Sequence, residues 1–227
     1  MPTACTEGPF EALLCDMDGT LMDTESLCEE TKVQICRSIY GFEMTPEDRS
    51  MCYGMTDLEA FDRLFEARGI HSSPEEAVAA MKPCYYALLR ERATPLPHTL
   101  SFLETVRTLQ SPVAIVSGST REAVHILLSI LGAKDLFKIV VTYEDVERSK
   151  PHPDPYIKAA SLAEVPPLHC LSIEDSPCGI ASAVKAGTYC IAVRNNGTCD
   201  LRAAHRIVQH VGEIDVHSLI RKNGATH

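Results

Sequence analysis

From about residue 110 onward, short apolar runs of strand length alternate with stretches of helical spacing, and that alternation leaves few folds open. The runs are Pro112–Val116, Lys138–Thr142, Cys170–Ile173, Thr188–Val193 and Arg206–His210, the last expected at a sheet edge. Glu11–Cys15 is one more near the start. Between them Val124, Leu127, Leu128 and Leu131 recur at helical spacing, and Gly132 stops that helix. Ser119-Thr-Arg-Glu122 has the form of a capping box, with Ser119 the expected cap. Another helix should open at Asp154-Pro155, and one should run from about Pro177 to Gly187. Strands separated by helices bury both faces of a parallel sheet, so the expected class is α/β with a doubly wound parallel sheet.

Residues 24–92 follow a different period. Leu27, Thr31, Ile35 and Ile39 share one helical face that Gly41 ends, and Leu58, Phe61, Leu64 and Phe65 mark a second helix that Gly69 ends. Ser73-Pro74-Glu75-Glu76 is a helix start, and Pro83 should kink the helix that follows. An all-helical insert after the first strand is therefore expected at 24–92. Residues 11–23 and 93–227 form the α/β core and 1–10 a tail. The expected hinges are Asp23-Thr24 and Arg92 to Pro95.

The bulk properties narrow the function classes. No apolar run approaches the ~20 residues that span a bilayer, and Met1 to Phe10 do not read as a secretory signal. The net charge of −10 weighs against nucleic acid and anionic membranes as partners. The ten cysteines show no two-residue spacing of a zinc or redox motif, so they read as reduced thiols of a cytoplasmic protein. Oligomeric state is not readable from the chain.

Chemistry concentrates where the strands end. Asp16-Met17-Asp18-Gly19-Thr20 places two carboxylates at i and i+2 just past a buried strand, and Gly19 lets the chain turn away. One carboxylate can attack an electrophile while the other handles the proton. The plainer reading is an Asp-rich turn; a calcium loop fails because the glycine stands at the fourth position. Ser117-Gly118-Ser119 offers a hydroxyl and backbone N–H groups to a phosphate oxygen, or simply caps a helix. Lys150, followed by prolines, can offset phosphate charge, or is a loop lysine. Glu174-Asp175 could hold Mg²⁺ through oxygen ligands, or form a solvated turn. Each plain reading is adequate alone. Together they require four independent accidents at one edge of one sheet.

With these residues in view, Asp16-Met-Asp18-Gly-Thr20, Ser117, Lys150-Pro151 and Glu174-Asp175 resemble the four motifs of the haloacid dehalogenase superfamily. The span from Thr24 to Arg92 resembles the helical cap of its β-phosphoglucomutase-like and sugar-phosphatase branch. The resemblance implies a Rossmann-like core with a helical cap that closes over the sheet edge. It implies a Mg²⁺-dependent phosphatase of small phosphorylated metabolites, of the sugar or polyol phosphate class. Asp16 would be the nucleophile, Asp18 the acid/base, and Ser117 the phosphoryl cradle, with Gly19 and Gly118 beside it. Lys150 would be the shielding cation. Mg²⁺ would be held by Asp16, the Asp18 backbone carbonyl and Asp175, with Glu174 direct or through water.

The resemblance also separates branches. Asp18 is present, where the dehalogenases lack that acid. The phosphonatases use a cap lysine, and Lys32 stands in no matching motif. Mutase-like members carry a basic residue in the cap loop, where this chain has Gly54-Met55-Thr56-Asp57, the expected substrate-binding residues of the cap. A bare Asp57 facing a second phosphate would cost on the order of 4 kcal/mol per like-charge pair at ~4 Å and an effective dielectric near 20. Two alternatives remain: a phosphomutase of the β-phosphoglucomutase type, and a catalytically inactive metabolite-binding protein.

Overall fold

The computed structural model describes residues 9–52, 55–195 and 199–221. Its strands are β1 (Ala12–Cys15), β2 (Met22–Asp23), β3 (Thr94–Pro95), β4 (Val113–Val116), β5 (Ile139–Val141), β6 (Cys170–Glu174), β7 (Tyr189–Val193) and β8 (Arg206–Val208). Its helices are α1 (Glu25–Ser38), α2 (Pro46–Cys52), α3 (Asp57–Arg68), α4 (Pro74–Arg92), α5 (Thr99–Val106), α6 (Arg121–Ile130), α7 (Asp154–Leu162), α8 (Pro177–Ala186) and α9 (Val216–Leu219). The chain divides into two compact units: Thr24–Ala93 forms one, and the residues before and after it form the other.

The larger unit is built on a six-stranded sheet in the order β5-β4-β1-β6-β7-β8, with every pairing parallel. Leu14, Ala114, Val116 and Cys190 point to one face, into a cluster with Tyr156, Ala159, Ala160, Ile180 and Ala183 of α7 and α8. The alternate residues Leu13, Cys15, Ile115, Ile173 and Ile191 are also fully buried. Burial on both faces is why these strands read as continuous apolar runs. From β1 the chain winds outward through β4 to β5, then returns to β6 and winds the other way. The carboxyl end of β1 therefore lies at the point where the strand order reverses, the crevice in which open α/β sheets bind ligands. Phe10, expected in a tail, is instead fully buried and bridged to Ile220. A small antiparallel pair, Met22↔Pro95 and Asp23↔Thr94, ties together the two passages leading to the helical unit.

In the helical unit, α4 packs against α1 and α3. The buried stripes are Leu27, Thr31, Ile35 and Cys36 on α1, Ala60, Phe61, Leu64 and Phe65 on α3, and Ala77, Met81, Tyr85 and Leu89 on α4. Two expected stripe members are outside: Ile39 follows the last turn of α1, and Leu58 lies at the margin of the α3 stripe; both are exposed. Gly69, at φ 61°, supplies the left-handed cap that ends α3. Pro83 sits inside α4 without ending it. Among the described residues no helix is long and apolar enough to cross a membrane, and the buried Cys15, Cys36, Cys52, Cys170 and Cys190 are thiols rather than disulfides.

Candidate active site

Four strand ends converge at the switch point. Asp16 directly follows β1, Ser117 follows β4, Lys150 comes from the loop after β5, and Glu174 closes β6. The ladder continues one residue beyond the strands: the Asp16 amide donates to the Ile173 carbonyl at 3.0 Å, and the Ser117 amide to the Val141 carbonyl at 2.9 Å. Asp16, Ser117 and Glu174 are all buried, so their backbones are fixed by the sheet and their side chains by packing.

Lys150 is the hub. Its Nζ lies 2.6 Å from Asp16 Oδ1, 2.6 Å from Glu174 Oε1 and 2.8 Å from the Val116 carbonyl, which uses all three ammonium protons. Burial opposes the lysine charge, but the two carboxylates outweigh it and hold the pKa above its usual value. Asp16 is pushed the other way, to about 7: burial raises it most, Lys150 pulls against that rise, and Glu174 and Asp18 add repulsion. Glu174 is further held by the Tyr156 hydroxyl at 2.7 Å on Oε1, and by the Asp175 amide at 3.2 Å and the Ser176 hydroxyl at 3.4 Å on Oε2. A Cβ on Gly179 would come within 1.9 Å of that carboxylate, so only glycine fits at this turn of α8.

Asp18 stands apart from this knot. Its Oδ2 accepts from the Ser117 hydroxyl at 3.0 Å and the Ser119 hydroxyl at 2.8 Å. Ser119 was the expected cap of α6, but Thr120 performs that task, accepting from the Ala123 amide at 3.1 Å. The shift of one residue turns the Ser119 hydroxyl toward Asp18. Gly118 is exposed, with nothing within 4 Å of the place a Cβ would occupy. Gly19 is different: at φ 75° its Cβ would lie 2.2 Å from Asp175 Oδ2. The Asp16–Thr20 turn is stitched to its surroundings by Thr20 Oγ1 to Asp175 Oδ1 at 3.3 Å and by Asn195 Nδ2 to the Gly19 carbonyl at 2.8 Å. Tyr156 and Asn195 were not among the residues singled out by sequence, and Ser119 was expected as a helix cap rather than as a partner of Asp18. Only Ser119 had a signal, its place in Ser-Gly-Ser.

Carboxylate oxygens of Asp16, Glu174 and Asp175 all lie within 4.8 Å of one another. Asp16 Oδ2 is buried and has no protein partner. A buried anionic oxygen left unpaired is costly, and an all-oxygen donor set suits a hard divalent cation. The residues present therefore fit such an ion. Both oxygens of Glu174 already accept protein donors, whereas Asp16 Oδ2 does not.

The remaining expected residues lie in the helical unit. Gly54 falls outside the described residues. Met55 is half-buried. Thr56 is occupied in a capping box: its hydroxyl accepts from the Glu59 amide at 3.3 Å, and Glu59 Oε2 accepts the Thr56 amide at 2.9 Å. Asp57 is not a bare carboxylate. Lys32 Nζ lies 2.5 Å from its Oδ1 and 2.9 Å from Cys28 Sγ. The expected repulsion of a second phosphate is therefore offset at its source by a cation 25 residues away in sequence.

A buried aspartate–lysine–acid site at the switch point of a doubly wound parallel sheet defines the class. The chain belongs to the haloacid dehalogenase-like hydrolase family, whose model matches residues 13–193. It is 26% identical over 186 residues to the validoxylamine A 7'-phosphate phosphatase of Streptomyces hygroscopicus subsp. limoneus, covering 81% of this chain and 85% of that one. In fold it resembles CbbY from Rhodobacter sphaeroides in complex with phosphate, with a TM-score of 0.81, 22% identity, and 91% and 96% of the two chains covered. It also resembles β-phosphoglucomutase from Clostridium difficile, with a TM-score of 0.79, 23% identity, and 92% and 95% covered.

Proposed function

We propose that this hydrolase is a Mg²⁺-dependent phosphatase. It cleaves phosphate monoesters of small metabolites, of the sugar or polyol phosphate class, through a phosphoryl-aspartate on Asp16. The observation that carries the reading is the division of labour between two acids two residues apart. Asp16 is buried against Lys150 with one oxygen unpaired, and Asp18 is held separately by two serine hydroxyls.

In the first step an Asp16 oxygen bonds to phosphorus as the ester P–O bond breaks, and protonated Asp18 gives its proton to the departing oxygen. In the second, water attacks phosphorus, Asp18 takes the water proton, and the Asp16–phosphorus bond breaks to release phosphate. Lys150 offsets the repulsion between the Asp16 carboxylate and the incoming dianion, and Glu174 with Tyr156 keeps its ammonium in place. Ser117 and the Gly118 and Ser119 segment are positioned to receive phosphoryl oxygens at the start of α6. Asp16, the Asp18 carbonyl and Asp175 would hold Mg²⁺, with Glu174 acting mainly through Lys150. Bound there, the ion would supply charge stabilisation to the phosphoryl group.

We assign recognition of the ester's organic part to the helical unit as its cap. Its Cys28–Lys32–Asp57 cluster is neutral as an ion pair and rich in donors and acceptors, which suits hydroxyl groups better than a second phosphate. The test is a panel of sugar and polyol monophosphates with Mg²⁺, with and without a chelator, scored for free phosphate. Release that needs Mg²⁺ is expected. Interconversion of glucose 1-phosphate and glucose 6-phosphate with little phosphate released would favour the mutase instead. Full activity in chelator would remove Asp175 from the role given to it.

A further inference from the structure

Away from the switch point, the open edge of the sheet carries a groove of about 550 Å³. The strand β5 ends the sheet order, so its outer side has no strand partner among the described residues. The groove is lined by Lys138, Ile139 and Val140 in succession, by residues of α6, by Lys134 and Phe137, and by Leu162 of α7. Successive strand residues point to opposite faces. A groove that touches three of them in a row therefore runs along the edge itself. Val141 accepts from the Ser117 amide on the β4 side. Peptide groups alternate sides along a strand, so those of Val140 face the open edge.

The charge of this groove runs against the rest of the molecule. The chain carries −10 overall, yet the charged or titratable residues lining the groove are Arg121, His125, Lys134 and Lys138, and no acid lines it. Arg121 is committed to Asp145 at 2.5 Å. Lys134 and Lys138 are exposed and have no ion-pair partner among the described residues. Buried Leu128 and Phe137 form an apolar floor between the cations. An unpaired strand edge, an apolar floor and a basic rim match one kind of occupant: an extended segment alternating acidic and apolar residues, added to β5 as a further strand. A small anion would use the cations but neither the edge nor the floor.

We propose that the β5 edge is a docking site for such an acidic, extended segment of a partner protein. It is separate from the catalytic site and independent of the proposed reaction. The probe is a fluorescein-labelled synthetic peptide of about eight alternating glutamate and valine residues, long enough at ~3.3 Å per residue to cover the edge. Its anisotropy is read against the whole protein. Saturable binding is expected, weakened at least tenfold by Lys134→Glu together with Lys138→Glu, and weakened by added salt. Val140→Pro should also abolish it, because it removes the outward amide of an edge position where proline is tolerated. Both variants should keep wild-type activity on p-nitrophenyl phosphate, which shows that they fold. No binding, or binding indifferent to both variants, overturns the proposal. So does loss in the lysine variant with full retention in Val140→Pro, or displacement of the peptide by millimolar pyrophosphate; either outcome makes the groove a simple anion site. Dimerisation abolished by the same substitutions would assign it to a second copy of this chain.

Discussion

The two units hold their polar clusters in opposite ways. In the α/β unit, Asp16 and Glu174 stand at the ends of adjacent strands β1 and β6, Lys150 reaches them from the loop after β5, and each is nearly or wholly buried. In the helical unit, Cys28 and Lys32 come from α1 and Asp57 from the first turn of α3, and Asp57 keeps 36% of its side-chain surface exposed against 12% for Lys32. The ends of β1 and β6 are locked by ladders on both sides, which fixes the backbones that carry Asp16 and Glu174. Helix faces tolerate exchange of single side chains at little cost in packing. The difference suggests that chemistry is fixed in one unit and selectivity is adjustable in the other.

The sharpest way to break this comparison is to alter the locked cluster. Asp16→Asn should lower turnover at least a thousandfold, because an amide does not attack phosphorus. It should fold normally, since Lys150 retains Glu174 as a partner. Phosphate-release assays with a control for deamidation, alongside thermal melts, check both halves. Lys150→Met removes the cation between two buried carboxylates and should cost ~3–5 kcal/mol of stability by denaturant titration. A loss below ~1 kcal/mol would mean the cluster is far more hydrated than its burial implies.

Gly19→Ala sets a Cβ against Asp175 and strains a backbone at φ 75°. It should weaken Mg²⁺ binding tenfold or more, read by calorimetry, while Gly118→Ala, in open space, should not. Lys32→Met should shift KM among substrates with little change in kcat on p-nitrophenyl phosphate. An equal fall in kcat on every substrate would contradict the split between chemistry and selectivity.

The smallest effect is on stability. The Arg68 hydrogen bond holds the Asp48 carboxyl below its ordinary value of 3.8, against the effect of burial. An acid whose folded pKa is depressed stabilises the fold above its unfolded pKa and loses that contribution as pH falls through the folded value. Wild type should therefore exceed Asp48→Asn in stability at pH 5 by ~1 kcal/mol, and the gap should close as pH drops below about 4. A gap independent of pH would assign the effect to packing.

The strand ends were readable because a buried parallel strand is an uninterrupted apolar run, and the first polar residue after it stands at the sheet edge. That rule located Asp16, Ser117 and Glu174. It had no purchase on Tyr156 or Asn195, whose roles depend on where a side chain points across the fold. Ser119 was misplaced as a cap because Ser119-Thr-Arg-Glu122 fits the capping-box pattern, whereas the residue that caps α6 is Thr120, whose third following residue is Ala123 and which that pattern does not mark. The short α2 has little apolar periodicity, and α5 begins at His98 without a side-chain cap, so neither announced itself. Asp57 appeared bare because its counter-ion comes from another helix, a pairing that periodicity does not encode.

The central claim is that Asp16 carries the phosphoryl group. Acid quench of the wild-type protein during turnover of a monophosphate ester, followed by peptide mass spectrometry, tests it most directly. The account predicts one phosphoryl adduct on the peptide containing Asp16, labile to hydroxylamine and absent from Asp16→Asn. Turnover with no adduct on that peptide, or with the adduct on a serine or histidine, would contradict it.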